Sequence, residues 1–446
     1  MTPIDLLINA RWIIPVVPEN RILKNCAIAV HQGHILAVLP QEEAAKRYAP
    51  NKVENLTDHI LTPGLINAHG HAAMTLLRGF ADDKPLHDWL NNYIWPAEKQ
   101  WVDEQFVRDG TELAIAEMIK SGTTCFGDMY FFPEQTAQAA LEAQIRCQIY
   151  FTILDSPCPW GSCPEDYFAK GLALHDTFRD NDLINIGFGP HAPYTVGDET
   201  LKKVAMLAQE MDTPIHIHLH ETAQEVEESL QKYGVRPTQR LMALGLLSPL
   251  TQCAHMTQVD DIDIAILQQS GAHVIHCPES NLKLASGFCP VDKLLKAGIN
   301  VALGSDGAAS NNDLDLFSEL KTAALLAKGV SGNAAALDAH SALRLATING
   351  AKALGIEHMV GSLEEGKHAD IIAINIGDLD LQPIYDPVSQ LVYTNVGHRV
   401  SHSWVKGKCL MHNRELLTIN ERELKSKARQ WQEKIGDQQF SVPTLD

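Results

Sequence analysis

Between about residues 61 and 360, short apolar runs alternate with longer amphipathic stretches, and the runs end in polar side chains. Eight runs read as strands: 65–69, 123–128, 148–154, 184–189, 214–220, 252–256, 273–277 and 300–306. Stretches with helical periodicity, such as 109–121, 200–211 and 261–270, separate them. Strands buried on both faces and joined through helices form parallel sheets. Eight such units in about 300 residues fit an α/β fold of the (β/α)8 TIM-barrel type. The competing fold, a doubly wound open sheet, favours a glycine-rich phosphate turn after its first strand. Here the first strand ends in His69-Gly-His71, with no GxGxxG.

The flanks have another texture. Residues 4–60 alternate short β-type runs with polar turns, and the same pattern returns near 369–375 and 400–408. This predicts a small β-sandwich domain built from both termini, 1–60 with 361–420, around a catalytic barrel over 61–360. The charged, helix-prone segment 421–446 is expected to be a C-terminal surface helix with a frayed tail.

In a parallel barrel the C-terminal strand ends converge on one mouth, where active sites sit. The polar residues collect there: His69 and His71 after the first strand, and His191 after the fourth. The fifth ends in His216, His218, His220 and Glu221. His255, His276 and Asp306 end the last three. His69 and His71 are two apart, so on extended backbone both face one side. Histidines from strands 1 and 5 with a carboxylate from strand 8 make an N3O set. That set suits Zn²⁺, with Fe²⁺ or Mn²⁺ as alternatives, and leaves a position open for water. Alternation does not choose among His216, His218 and His220, because all three share one face; Glu221 has the opposite parity.

Composition narrows the partners. Asp plus Glu total 55 against 36 Lys plus Arg, a formal net charge of −19. An acidic surface repels phosphate backbones, so nucleic acid is not an expected partner. No apolar stretch reaches the roughly 18 residues of a membrane span. Nine cysteines without regular spacing do not suggest a disulfide framework, and the first residues lack the basic and apolar regions of a secretion signal. A reduced, cytoplasmic protein acting on a small molecule is expected, and a homo-oligomer.

The segment Pro63-Gly-Leu-Ile-Asn-Ala-His-Gly-His71, the His218-Leu-His-Glu221 tetrad and the strand-8 segment 304–312 resemble the amidohydrolase superfamily. Within it the chain resembles the 5′-methylthioadenosine/S-adenosylhomocysteine deaminases, from Leu61 through 361–370. The resemblance implies one metal per subunit, bound by His69, His71, His218 and Asp306. It implies that His255 contacts the water to be activated, that Glu221 moves protons at the purine, and that Glu98 and His191 contact substrate. Glu98 would accept hydrogen bonds from a ribose diol.

One departure bears on substrate. Members often carry an arginine after strand 3, suited to a homocysteine carboxylate; here 155–166 holds no Arg or Lys. An uncharged thioether such as methylthioadenosine is therefore the expected substrate, with S-adenosylhomocysteine, adenosine and 5′-deoxyadenosine as further candidates. Trp160 in this loop either packs against the methylthio group or anchors the loop. The implied reaction replaces the purine 6-amino group by oxygen and releases ammonia, with Glu221 starting protonated. Guanine deaminases and triazine hydrolases look alike in strand 1, but a ribose anchor at Glu98 would serve neither. A catalytically silent binding barrel is the third reading, opposed by the presence of every proposed ligand and of Glu221.

Overall fold

The structure is a computed structural model, and it describes residues 1–439. Eight parallel strands form the central sheet in sequential order: Leu65–Asn67, Thr123–Asp128, Arg146–Ile153, Ile184–Pro190, Ile215–Leu219, Thr251–His255, His273–His276 and Val301–Leu303. All eight fall on the runs predicted from sequence. The first and last strands close the barrel. Ala68 N–H donates to the Leu303 carbonyl at 2.8 Å, and Asp306 N–H donates to the His69 carbonyl at 3.1 Å. The Asn67 side chain donates to Ser305 Oγ at 2.7 Å and accepts from Ser305 N–H at 2.9 Å. The approach is tight: a Cβ at Gly304 would stand 2.7 Å from the His69 Cβ, so only glycine fits.

Helices end where the sequence provides stops. The helix Glu104–Ser121 begins earlier than its periodicity suggested, because the Asp103 side chain accepts from Phe106 N–H at 2.8 Å and caps it. It ends at Gly122, with φ of 97°.

The termini combine in a second sheet of eight strands, as expected. Its centre is the parallel pair Thr2–Ile13 and Tyr48–Pro63, which carries Leu23–His31 and His34–Pro40 on one side. The late strands Ile371–Asn375, Val400–Val405, Lys408–His412 and Glu415–Leu416 add on the other. The strand Thr2–Ile13 feeds two clusters: Leu6, Ile8 and Ala10, at alternate positions, pack with Trp404, and Ile4 and Leu7 pack with Tyr48. The C-terminal helix Glu421–Gln439 exposes most of its described side chains and docks through one face. Trp431 is buried, meets Phe106 edge to face at 5.2 Å, and donates to Asp109 at 3.0 Å. The predicted tail beyond it lies outside the described residues.

A buried ion pair joins barrel and sheet. Arg146, on the third barrel strand, holds Asp370 at 3.1 and 3.3 Å, and both side chains are almost fully enclosed. Asp370 also accepts from Lys406 N–H at 2.8 Å. Removing one partner strands a buried charge, at a cost of about 3–5 kcal/mol. Asp370→Ala should lower the denaturation midpoint by that equivalent; a loss below about 1 kcal/mol would show that the pair does not join the two units.

Candidate active site

Three histidines and one aspartate meet at the barrel mouth. His69 Nε2 and His71 Nε2 lie 3.3 and 3.2 Å from Asp306 Oδ1, and His218 Nε2 lies 3.2 Å from His71 Nε2. One ligand atom from each falls within 4.8 Å of the others. Hydrogen bonds behind the rings fix what these nitrogens carry. His71 Nδ1 faces the Met129 carbonyl at 2.6 Å and His218 Nδ1 the His191 carbonyl at 2.7 Å. A carbonyl only accepts, so both Nδ1 atoms bear a proton and both Nε2 atoms are the ones turned to the cluster.

His69 is set by a relay. His216 Nδ1 donates to Gln252 Oε1 at 3.0 Å, an oxygen that also receives the Tyr150 hydroxyl, while Gln252 Nε2 donates to the Ala353 carbonyl at 2.6 Å. His216 Nε2 is thus an acceptor, taking the His69 Nδ1–H at 2.7 Å. His69 Nε2, buried, has no hydrogen-bond donor of its own. Apart from one proton on His71 Nε2, four acceptors converge, and a divalent cation in place of that proton fits the arrangement. Burial lowers His69 to about 4 and His218 well below its ordinary value, which keeps both neutral bases at pH 7. Burial would also lower His71, but the hydrogen bond and charge of Asp306 raise it to about 9. A cation at the convergence point takes that proton's place. The other carboxylate oxygen, Asp306 Oδ2, accepts from Ser280 and Ser310 at 2.6 and 2.9 Å.

Glu221 reaches the same mouth through a bend. His220 sits in the left-handed region at φ 52°, which undoes the alternation and turns Glu221 inward. The buried Glu225 carboxylate accepts His220 N–H at 2.9 Å and Glu221 N–H at 2.8 Å and holds the bend. Glu221 Oε1 is 3.9 Å from His255 Nε2. Burial raises the Glu221 pKa above the ordinary carboxylate value, against an opposing pull from His255. His255 Nδ1 donates to Asn281 Oδ1 at 2.9 Å, which turns its Nε2 toward the site.

A cavity of about 630 Å³ opens from this cluster. Glu98, on the helix Trp95–Trp101, lines it and accepts from the Tyr130 hydroxyl at 2.8 Å; burial lifts its carboxyl to about 7. His191 lines it too, kept neutral by burial at about 4. The strand-3 loop contributes Ser156 through Pro159 to the wall, but Trp160 does not join it. Trp160 is buried, stacks on Tyr167 at 6.0 Å and donates to Glu134 at 3.2 Å. Its expected role as a substrate contact is corrected: the indole anchors the loop. His220 is held by the Gln258 carbonyl at 2.9 Å and by Thr238 N–H at 3.3 Å, and His276 is fully enclosed; neither lines the cavity.

The amidohydrolase family profile matches residues 60–410. The chain is 57% identical, over 98% of either chain, to the 5-methylthioadenosine/S-adenosylhomocysteine deaminase of Teredinibacter turnerae. It is 58% identical, over 99% of either, to the protein of that name from Saccharophagus degradans. This chain belongs to the amidohydrolase family. An adenosine deaminase from Xanthomonas campestris, solved with bound zinc, superposes with a TM-score of 0.97 at 47% identity, covering 98% of this chain and 99% of that one.

In this amidohydrolase, sequence reasoning did not find Tyr130, Glu225, Ser280, Asn281 and Ser310, nor what His216 does. Ser280 and Asn281 had a signal in their place after the seventh strand, and Ser310 in the strand-8 segment; Glu225 acts four residues from Glu221 through the bend, and Tyr130 through a contact distant in sequence. Groups that orient metal-ligating imidazoles contribute about 10–100-fold to affinity. His216→Ala should weaken Zn²⁺ binding by that factor in a chelator competition, because it frees the His69 ring. Unchanged affinity would contradict the relay.

Proposed function

We propose that the chain is a zinc-dependent hydrolytic deaminase of 5′-methylthioadenosine and related adenosine thioethers, yielding the inosine analogue and ammonia. One observation carries the reading: a four-acceptor metal cluster and a buried Glu221 face one cavity with Glu98. The curated deaminases that match nearly its whole length support it. His69, His71, His218 and Asp306 would hold the zinc, which supplies Lewis acidity that lowers the pKa of water toward about 7.

The chain's own groups divide the remaining work. Asp306 Oδ1 accepts a proton from the attacking water, while Ser280 and Ser310 fix that carboxylate from behind. His255, oriented by Asn281, steers the water toward purine C6. Attack builds negative charge on the ring, and Glu221 delivers a proton to N1. Burial keeps Glu221 protonated to higher pH than a free carboxyl. Glu98 and His191 bind the nucleoside, Glu98 at the ribose hydroxyls.

The same wall sets the preference among thioethers. Ser156 through Pro159 bring no cation. Among the described lining residues the one Lys or Arg is Lys99, which is exposed. An exposed ion pair contributes about 0–1 kcal/mol, too little to offset desolvation of an amino-acid tail. The uncharged methylthio group is the better fit, and S-adenosylhomocysteine is the poorer substrate.

Glu221→Gln should retain its zinc and lose about 10²–10⁴-fold in kcat. In the wild type, kcat/KM should fall as pH rises through the raised Glu221 pKa, since the donor form exists only below it. The glutamine variant should lose that basic limb. A variant that turns over normally, or a limb that persists in it, would remove Glu221 as the proton donor.

A further inference from the structure

A second set of metal-ligating side chains meets on the terminal sheet, and it shares no residue with the barrel mouth. His402 and His412 stand opposite each other on the antiparallel strands Val400–Val405 and Lys408–His412, one step beyond the Ser403–Met411 pair. Directly opposed residues share a face, and the two rings meet edge to face with centroids 4.6 Å apart. Glu54, from the strand Tyr48–Pro63, places Oε1 3.4 Å from His412 Nε2. One ligand atom from each of the three lies within 4.8 Å of the others.

The cluster is built on rigid elements. His402 is 1% exposed and stacks on Trp404 at 5.4 Å and 7°. The Ser401 hydroxyl donates to the Ala373 carbonyl at 3.2 Å, so His402 Nδ1–H donates to Ser401 Oγ at 2.8 Å. That leaves the His402 Nε2 lone pair as the available ligand, the same tautomer logic that operates at the barrel mouth. Lys52 Nζ lies 2.8 Å from Glu54 Oε1, but its side chain is 55% exposed and is free to swing into water. His412, at 36%, gives a cation access from solvent.

We propose that Glu54, His402 and His412 form a second divalent-cation site, completed by water. Two imidazoles and a carboxylate select a borderline transition ion such as Zn²⁺ or Ni²⁺ over Mg²⁺ or Ca²⁺. The bound ion displaces Lys52 from Glu54 and the proton from His412 Nε2. It ties the strand that runs into the barrel at Pro63 to the C-terminal hairpin. A cation that binds only the folded chain raises its stability.

The test uses the enzyme with its catalytic metal in place. Calorimetric titration with Ni²⁺ or Zn²⁺, with metal content read by mass spectrometry, should give a second equivalent per chain and a higher Tm. His412→Gln, at the exposed position, should weaken that equivalent at least tenfold and abolish the Tm rise, with turnover and the first equivalent unchanged. Glu54→Gln should do the same. A single equivalent in the wild type would overturn the proposal, as would a second one unaffected by His412→Gln.

Discussion

The structure turns on four metal-ligating atoms held at one point, with a single proton, on His71, for a cation to replace. Three imidazoles and a carboxylate in mutual contact need a positive charge among them, and a divalent cation supplies more of it than the one proton on His71. The surrounding hydrogen bonds maintain that demand. The Met129 and His191 carbonyls accept from Nδ1–H of His71 and His218, and His216, oriented by Gln252, accepts from Nδ1–H of His69. Two serines hold Asp306. Barrel closure belongs to the same device, since the backbone bonds joining the first and last strands run beside His69 and Asp306.

The eight strands were legible because burial on both faces leaves continuous apolar runs, and those runs end where the chain meets solvent at the mouth. His69 and His71 were legible from spacing alone. His218 was not, because its neighbours share its face; contacts remote in sequence separate the three. His216 turns onto His69 and Gln252, and His220 is drawn to Gln258 and Thr238. The opposite parity of Glu221 is resolved by the left-handed His220 and by Glu225, a backbone event that no alternation rule encodes. Trp160 was ambiguous for a plain reason: a large amphipathic ring serves equally as loop anchor or ligand wall, and only packing on Tyr167 decides.

Under the proposed function, the metal cluster would select hydrolysis and the cavity the molecule hydrolysed. Glu98 lies on a helix outside the strands that carry the cluster, whereas His191 follows the fourth strand and its carbonyl also orients His218. The terminal sheet stands apart from this chemistry. It is tied to the barrel through the Arg146–Asp370 pair and through the strand ending at Pro63.

The most direct test of the account is ammonia release by the zinc-loaded enzyme from 5′-methylthioadenosine, S-adenosylhomocysteine, adenosine and guanine, repeated after chelation and after zinc is restored. The account predicts the highest kcat/KM for 5′-methylthioadenosine, none for guanine, loss on chelation and recovery with zinc. Release indifferent to chelation, or guanine as the preferred substrate, would contradict it.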